Sequence, residues 1–185
     1  MKKILLGAFV GGLIIFFWQA ASQMVFNLHE PGQQYTAKQD TILSMLSKNL
    51  KQGGGYMLPR PESSSTIEEV EQFTKNIQGK PWARIVYYPQ YQQNMLESMG
   101  RGLITNIIIV FLFLTLVNRF KFKTFSSIFV SSLFLGLIIF SNTFYTVHLW
   151  YPSYEIRADF IDAMASWGLC GLWLGWLMHE KRRYS

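Results

Sequence analysis

Two uncharged apolar runs joined by a short basic segment constrain this chain more than any other feature. Leu103–Val117 reads LITNIIIVFLFLTLV. Asn118, Arg119, Phe120, Lys121, Phe122 and Lys123 follow, and a second run extends from Phe125 to Phe144. A surface helix of a soluble domain keeps a polar face, so runs without a charge fit membrane-spanning helices better. The few residues between them leave room only for a tight turn. They are therefore expected to form a transmembrane hairpin of two adjacent antiparallel helices, its basic turn facing the cytoplasm.

Of the 185 residues, 50% are hydrophobic and only 15% are charged, which places the chain among polytopic membrane proteins. A net charge of +6 would point to nucleic acid in a soluble protein. Here Lys2, Lys3, Arg119, Lys121, Lys123, Lys181, Arg182 and Arg183 all flank apolar runs. That is the positive-inside pattern, so the expected partner is the lipid bilayer, with no nucleic acid. Cys170 is the only cysteine, which excludes an intramolecular disulfide.

Residues 1–25 are assigned to a first transmembrane helix. Gly7-x-x-x-Gly11 suits close helix packing, with Gly171 and Gly175 of the fourth helix as the expected counterpart. Ala20-Ala21-Ser22 would also suit signal-peptide cleavage, but the apolar stretch is longer than a usual signal core, so retention is preferred. Residues 26–99 turn polar and are expected to form a small extracytoplasmic α+β cap. Thr36-Ala37-Lys38-Gln39 has capping-box spacing ahead of the stripe Ile42, Leu43, Leu46 and Leu50, and Gly53-Gly54-Gly55 would end that helix. Tyr56–Leu58 reads as extended. Ser65 or Thr66 caps a second helix with the stripe Ile67, Val70, Phe73 and Ile77, and Trp82–Tyr88 reads as a strand. The direction of the strands relative to each other stays open.

Residues 100–185 hold the second to fourth transmembrane helices and a basic cytoplasmic tail. The run Leu103–Val117 spans only ~22 Å at 1.5 Å per residue, so its helix should start earlier, with Arg101 at the outer interface. Val147–Tyr154 is expected to be an aromatic outer loop, and the fourth helix to run from about Arg157 to Met178. The fold class is thus a membrane all-α bundle of four transmembrane helices, with the cap between helices 1 and 2. Both termini fall in the cytoplasm, and the location is the cell inner membrane. The elements Gly7…Gly11-Gly12…Trp18, Gly55-Tyr56…Leu58-Pro59 and Pro81-Trp82-Ala83 resemble small uncharacterised four-helix bacterial inner-membrane proteins. The resemblance implies the bundle and carries no activity.

Gln19, Asn106 and Asn142 fall in the outer parts of the first three helices, and Asp159 and Asp162 at the outer end of the fourth. With Arg101 as a partner for Asp162, they form a candidate binding cluster, because polar groups within a membrane are costly and often functional. The bland alternative is interhelical amide bonds worth ~0.6 kcal/mol each, with the aspartates merely starting a helix near water. His29 and His148 share that face with the aspartates, yet no HExxH or comparable spacing supports a metal, and no haem or other cofactor is expected. No GxSxG motif is present. The leading expectation is a non-enzymatic membrane protein that binds or senses a membrane or extracytoplasmic protein partner through its cap. The alternatives are a small transporter or channel subunit using the polar cluster, and a membrane enzyme with Asp159 and Asp162 as acid and base. The oligomeric state stays open.

Overall fold

The computed structural model describes residues 1–119 and 123–179. Lys121 of the basic turn, and Lys181, Arg182 and Arg183 of the tail, lie outside the described residues. In chain order the elements are α1 (Lys2–Met24), α2 (Gln39–Asn49), β1 (Gly54–Leu58), α3 (Ile67–Ile77), β2 (Ala83–Tyr87), α4 (Met95–Val117), α5 (Phe125–Ile139), α6 (Thr146–Trp150) and α7 (Ile156–Met178). A 3-10 turn occupies Glu30–Gly32, and a π-helical turn, Phe140–Tyr145, joins α5 to α6. The chain divides into two compact units, a helical one of Met1–Gln34 with the chain from Asn94 onward, and a smaller one of Tyr35–Gln93.

Among the described residues four helices are long and apolar enough to cross a membrane: Lys2–Met24, Met95–Val117, Phe125–Trp150 and Ile156–Met178. Helix α4 starts well before its uncharged run, as the shortness of that run required. Asn94 caps it, its side chain accepting from the Glu97 N–H at 3.3 Å. The third span is longer than expected. Val147–Trp150 is helical, not loop, because the π turn carries the helix on through Phe144. The Ser141 carbonyl accepts both the Thr146 N–H, five residues on, and the Thr146 hydroxyl at 2.8 Å.

Helix α7 is the centre of the larger unit and packs against both α1 and α5, while α1 also packs against α4. Helices α4 and α5, the two arms of the expected hairpin, are not among the closely packed pairs. Small residues decide this, because lipid supplies no hydrophobic drive for helix association and close approach needs glycine or its like. A Cβ on Gly12 would come within 2.8 Å of the Ile107 Cα, so α1 and α4 touch there nearly backbone to backbone. On α5, a Cβ at Gly136 would lie 2.7 Å from the Ala163 carbonyl oxygen of α7. The later part of α4, Ile107–Val117, offers no glycine.

The first and fourth helices do pack, with Gly7 and Gly11 at the contact as expected, but Gly171 and Gly175 are not its other half. Gly7 and Gly11 face Leu114 and Val110 of α4 together with Leu174 and Cys170 of α7, whereas Gly171 and Gly175 face Ser132 and Phe125 of α5. The glycines of α7 thus serve a different neighbour. Val110, Leu114, Val117, Ile128, Cys170 and Leu174 are fully buried at the centre, and Phe113 meets Trp167 edge-on at 5.6 Å.

In the smaller unit β1 and β2 pair antiparallel, with Tyr56 opposite Ile85 and Met57 opposite Arg84. Gly54 and Gly55 belong to β1, opposite Tyr87 and Val86, so the glycine triplet does not end the preceding helix directly. The Thr36 capping box is not formed. Helix α2 begins at Gln39 behind Lys38, and the Thr36 hydroxyl accepts the Lys38 N–H at 3.3 Å while the Gln39 N–H goes to the Thr36 carbonyl. The second box forms at Thr66. Its hydroxyl accepts the Glu69 N–H, and the Glu69 carboxylate accepts the Thr66 N–H at 2.7 Å. Gly79, at φ +76°, follows the end of α3 in a conformation that disfavours other residues.

Candidate functional site: a polar cavity at one end of the helices

The end of α1 is followed by a loop that folds back over the helices. Trp18 and Phe26 pack with ring centres 5.8 Å apart, the Leu28 N–H donates to the Ser22 carbonyl at 3.0 Å, and Asn27 adopts a positive φ of 49°. Asparagine is among the residues that tolerate that region best. The fold-back buries His29, which is 7% exposed. Its Nε2 lies 3.0 Å from Asp162 Oδ2 and its Nδ1 3.2 Å from Glu155 Oε1. Trp18 Nε1 donates to the other Asp162 oxygen at 3.1 Å. Burial by itself would lower the pKa of His29. The hydrogen bonds and negative charge of Asp162, then of Glu155, outweigh it and raise the pKa above the usual 6.5.

Glu155 is positioned by a short relay in the loop before α7. The Ser153 N–H donates to His148 Nδ1 at 2.9 Å, and the Glu155 N–H donates to the Ser153 hydroxyl at 3.1 Å. The Glu155 side chain then lies against Gly32, where a Cβ would collide with it. One Glu–His–Asp bridge therefore ties the loop after α1 to the start and first turns of α7.

Beneath this bridge is a cavity of about 550 Å³. Its polar lining is Gln19, Gln23, Gln33, Asn106 and Ser166 together with His29, Glu155, Asp159 and Asp162. Its apolar lining is Ile15, Ile109, Ile139, Phe144, Ala163 and Trp167, so all four long helices contribute. Asn106 Nδ2 donates to Gln19 Oε1 at 2.9 Å across α1 and α4. The Asp159 side chain makes no hydrogen bond or ion pair among the described residues, and only its N–H is bonded, to the Glu155 carbonyl at 2.9 Å. No Lys or Arg among the described residues lines the cavity.

Four of the six residues singled out from sequence therefore meet here: Gln19, Asn106, Asp159 and Asp162. Asn142 does not. It is exposed and borders a separate groove with Leu137, Ile138, Ser141 and Thr146. The cause is the π turn, whose wider spacing puts Ile139 and Phe144, five residues apart, on the cavity. A plain α-helix would have brought residue 142 or 143 to that face. Arg101 is not the partner of Asp162. Its side chain is 73% exposed and lies 3.6 Å from Glu97, one turn earlier on α4.

Trp18 and Glu155 were not among the expected residues, and His29 was weighed only as a metal ligand. Sequence carried one hint, since His29 falls on the face of the aspartates, but its fold-back onto α7 is a long-range event. The chain matches no protein-family model, no curated protein and no solved structure. Among the described residues no group of three or more His, Cys, Asp or Glu is arranged to hold a metal ion. Ser166, the hydroxyl in the lining, donates to the Ala163 carbonyl at 3.4 Å and not to a base. The arrangement suits holding a ligand better than activating a nucleophile.

Proposed function

We propose that the protein is a non-enzymatic, multi-pass inner-membrane protein that binds a small solute in the cavity beneath His29. Both termini lie in the cytoplasm, and Tyr35–Gln93 forms an extracytoplasmic cap. The positive-inside distribution of Lys2, Lys3, Arg119 and Lys123 supports this orientation. It places the cavity in the outer leaflet, open to solutes from outside.

One observation carries the reading: a cavity of about 550 Å³ built from all four long helices, with carboxylates and amides converging above an apolar floor. Small-molecule sites occupy ~300–1,000 Å³ and combine such a floor with a few polar groups. A sensor and a transporter subunit would both use a site of this kind. The full-length protein in lipid nanodiscs should be stabilised against heat by at least one class in a panel of small cations, anions and neutral solutes. Gln23→Trp, placed at the exposed rim, should abolish that stabilisation. If no class stabilises the wild type, the binding reading fails.

A second reading, partner binding through the cap, is supported by its apolar stripes. Ile42, Leu43, Met45, Ile67 and Val70 are all exposed, and Ile67 is 78% exposed. Exposed apolar patches of this kind commonly mark protein interaction sites. Crosslinking from Ile67 in native membranes should capture one defined protein. Diffuse labelling would count against this reading.

A further inference from the structure

We infer that the solute is an organic monocation, a protonated amine carrying an apolar body. The inference rests on the binding reading above and adds the chemical class of the ligand.

The electrostatics of the cavity are one-sided. Glu155, Asp159 and Asp162 face it, and among the described residues His29 is the only basic side chain in the lining. With His29 protonated, three carboxylates stand against one imidazolium, leaving two negative charges. The bridge already engages Glu155 and Asp162, both within 3.2 Å of His29. Asp159 is the carboxylate left over. His29 acts on it only through space, and a carboxylate without a bonded counter-ion at the end of a spanning helix is costly, so a cation entering the cavity relieves that cost.

The acceptor geometry agrees. Asn106 is 7% exposed, and its Nδ2 is taken by Gln19, which leaves its Oδ1 without a donor among the described residues. An ammonium group carries N–H donors and no acceptor, so Asp159 and the Asn106 carbonyl complement it. The floor selects the body of the ligand. Ile15, Ile109, Ile139, Phe144 and Trp167 provide an apolar surface that a bare metal ion cannot use. Aromatic rings in the lining also favour a cation over an anion. An anionic solute would meet the carboxylates with no fixed cation beyond His29.

The test uses three compounds of one shape and different charge: phenethylamine, 2-phenylethanol and phenylacetate. Binding is measured by calorimetry and thermal shift on the full-length protein in nanodiscs of neutral lipid. The amine should bind, and the alcohol and the acid should bind at least tenfold more weakly. Asp159→Asn should weaken the amine at least tenfold and leave the unliganded melting temperature at or above that of wild type. Asp159→Glu should restore most of the affinity. Equal binding of amine and alcohol would overturn the cation assignment while leaving a solute site in place. Tighter protection by Mg²⁺ or Ca²⁺ than by the amine would overturn it in favour of an inorganic ion. Binding of the acid alone would reverse the sign of the site. If these compounds and the wider panel all fail, both the class and the solute site fall.

Discussion

His29 and Asp162 are separated by 133 positions in the chain, and their side chains meet with Nε2 3.0 Å from Oδ2. The second ring nitrogen of His29 reaches Glu155 at 3.2 Å. A neutral imidazole offers one donor and one acceptor, and an acceptor facing a carboxylate is repulsive. The imidazolium offers two donors and satisfies both carboxylates. The bridge is therefore a charged clasp between the loop after α1 and the start of α7. It forms the roof of the cavity.

Removal of the Asp162 charge should loosen the clasp. Its side chain is 20% exposed and accepts from both His29 and Trp18. Asp162→Asn is expected to cost about 2 kcal/mol, between a lost charged hydrogen bond and a broken buried pair. Asp159→Asn, which breaks no side-chain bond and removes a charge without a hydrogen-bonded partner, should be neutral or slightly stabilising. Unfolding of the two variants in mixed micelles would compare them, and equal costs would contradict the assigned bonding.

The clasp also makes stability depend on pH. The pKa of His29 is raised above 6.5 in the folded protein. Protonation therefore favours folding fully below pH 6.5, and the contribution is lost as pH rises through the raised value. Melting temperature should decline over that interval in the wild type. His29→Gln should flatten this part of the profile, and an unchanged profile would remove the imidazolium from the account.

Helix contact through Gly12 admits no side chain. A Cβ there would lie 2.8 Å from the Ile107 backbone, whereas one at Gly168 would lie 3.5 Å from Leu133 Cδ2, an ordinary contact. Gly12→Ala should therefore destabilise the protein by about 1–3 kcal/mol, the usual cost of overpacking. Gly168→Ala should be close to neutral. Melting temperatures of the two variants would check the contrast.

Ser22 on α1 is fully buried, and its hydroxyl has no hydrogen-bond partner among the described residues. Leaving a buried donor unsatisfied costs ~1–3 kcal/mol, and alanine removes that cost. Ser22→Ala should be neutral or stabilising by about 1 kcal/mol in the same unfolding assay. A clear loss would imply a hydrogen bond that the folded protein makes there after all.

The proposed orientation is open to labelling. Cys170 is fully buried, so an introduced cysteine should dominate the signal. A membrane-impermeant thiol reagent applied from outside should modify a cysteine at Ser64 and spare one at Lys123. The opposite pattern would invert the topology.

The sequence by itself determined the elements. The uncharged runs identified all four long helices, because hydropathy over some twenty residues is a local quantity. The overlapping boxes at Ser65 and Thr66 placed the start of α3 to within one residue, since capping is settled within four residues. It also marked Gln19, Asn106, Asp159 and Asp162 as polar groups on apolar helices. Tertiary structure decided which helices touch and what completes the site. Gly171 and Gly175 meet α5 and not α1, because glycine spacing shows that a face is small, and not which helix will fill it. Asn142 lost its place to Phe144 because one π turn rotates everything beyond it, and the run of residues there carries no Pro or Gly to announce the change. His29 joined the site because a loop closed over α7 and brought two carboxylates to one ring. Such closure depends on contacts more than a hundred residues apart, and no local pattern encodes them.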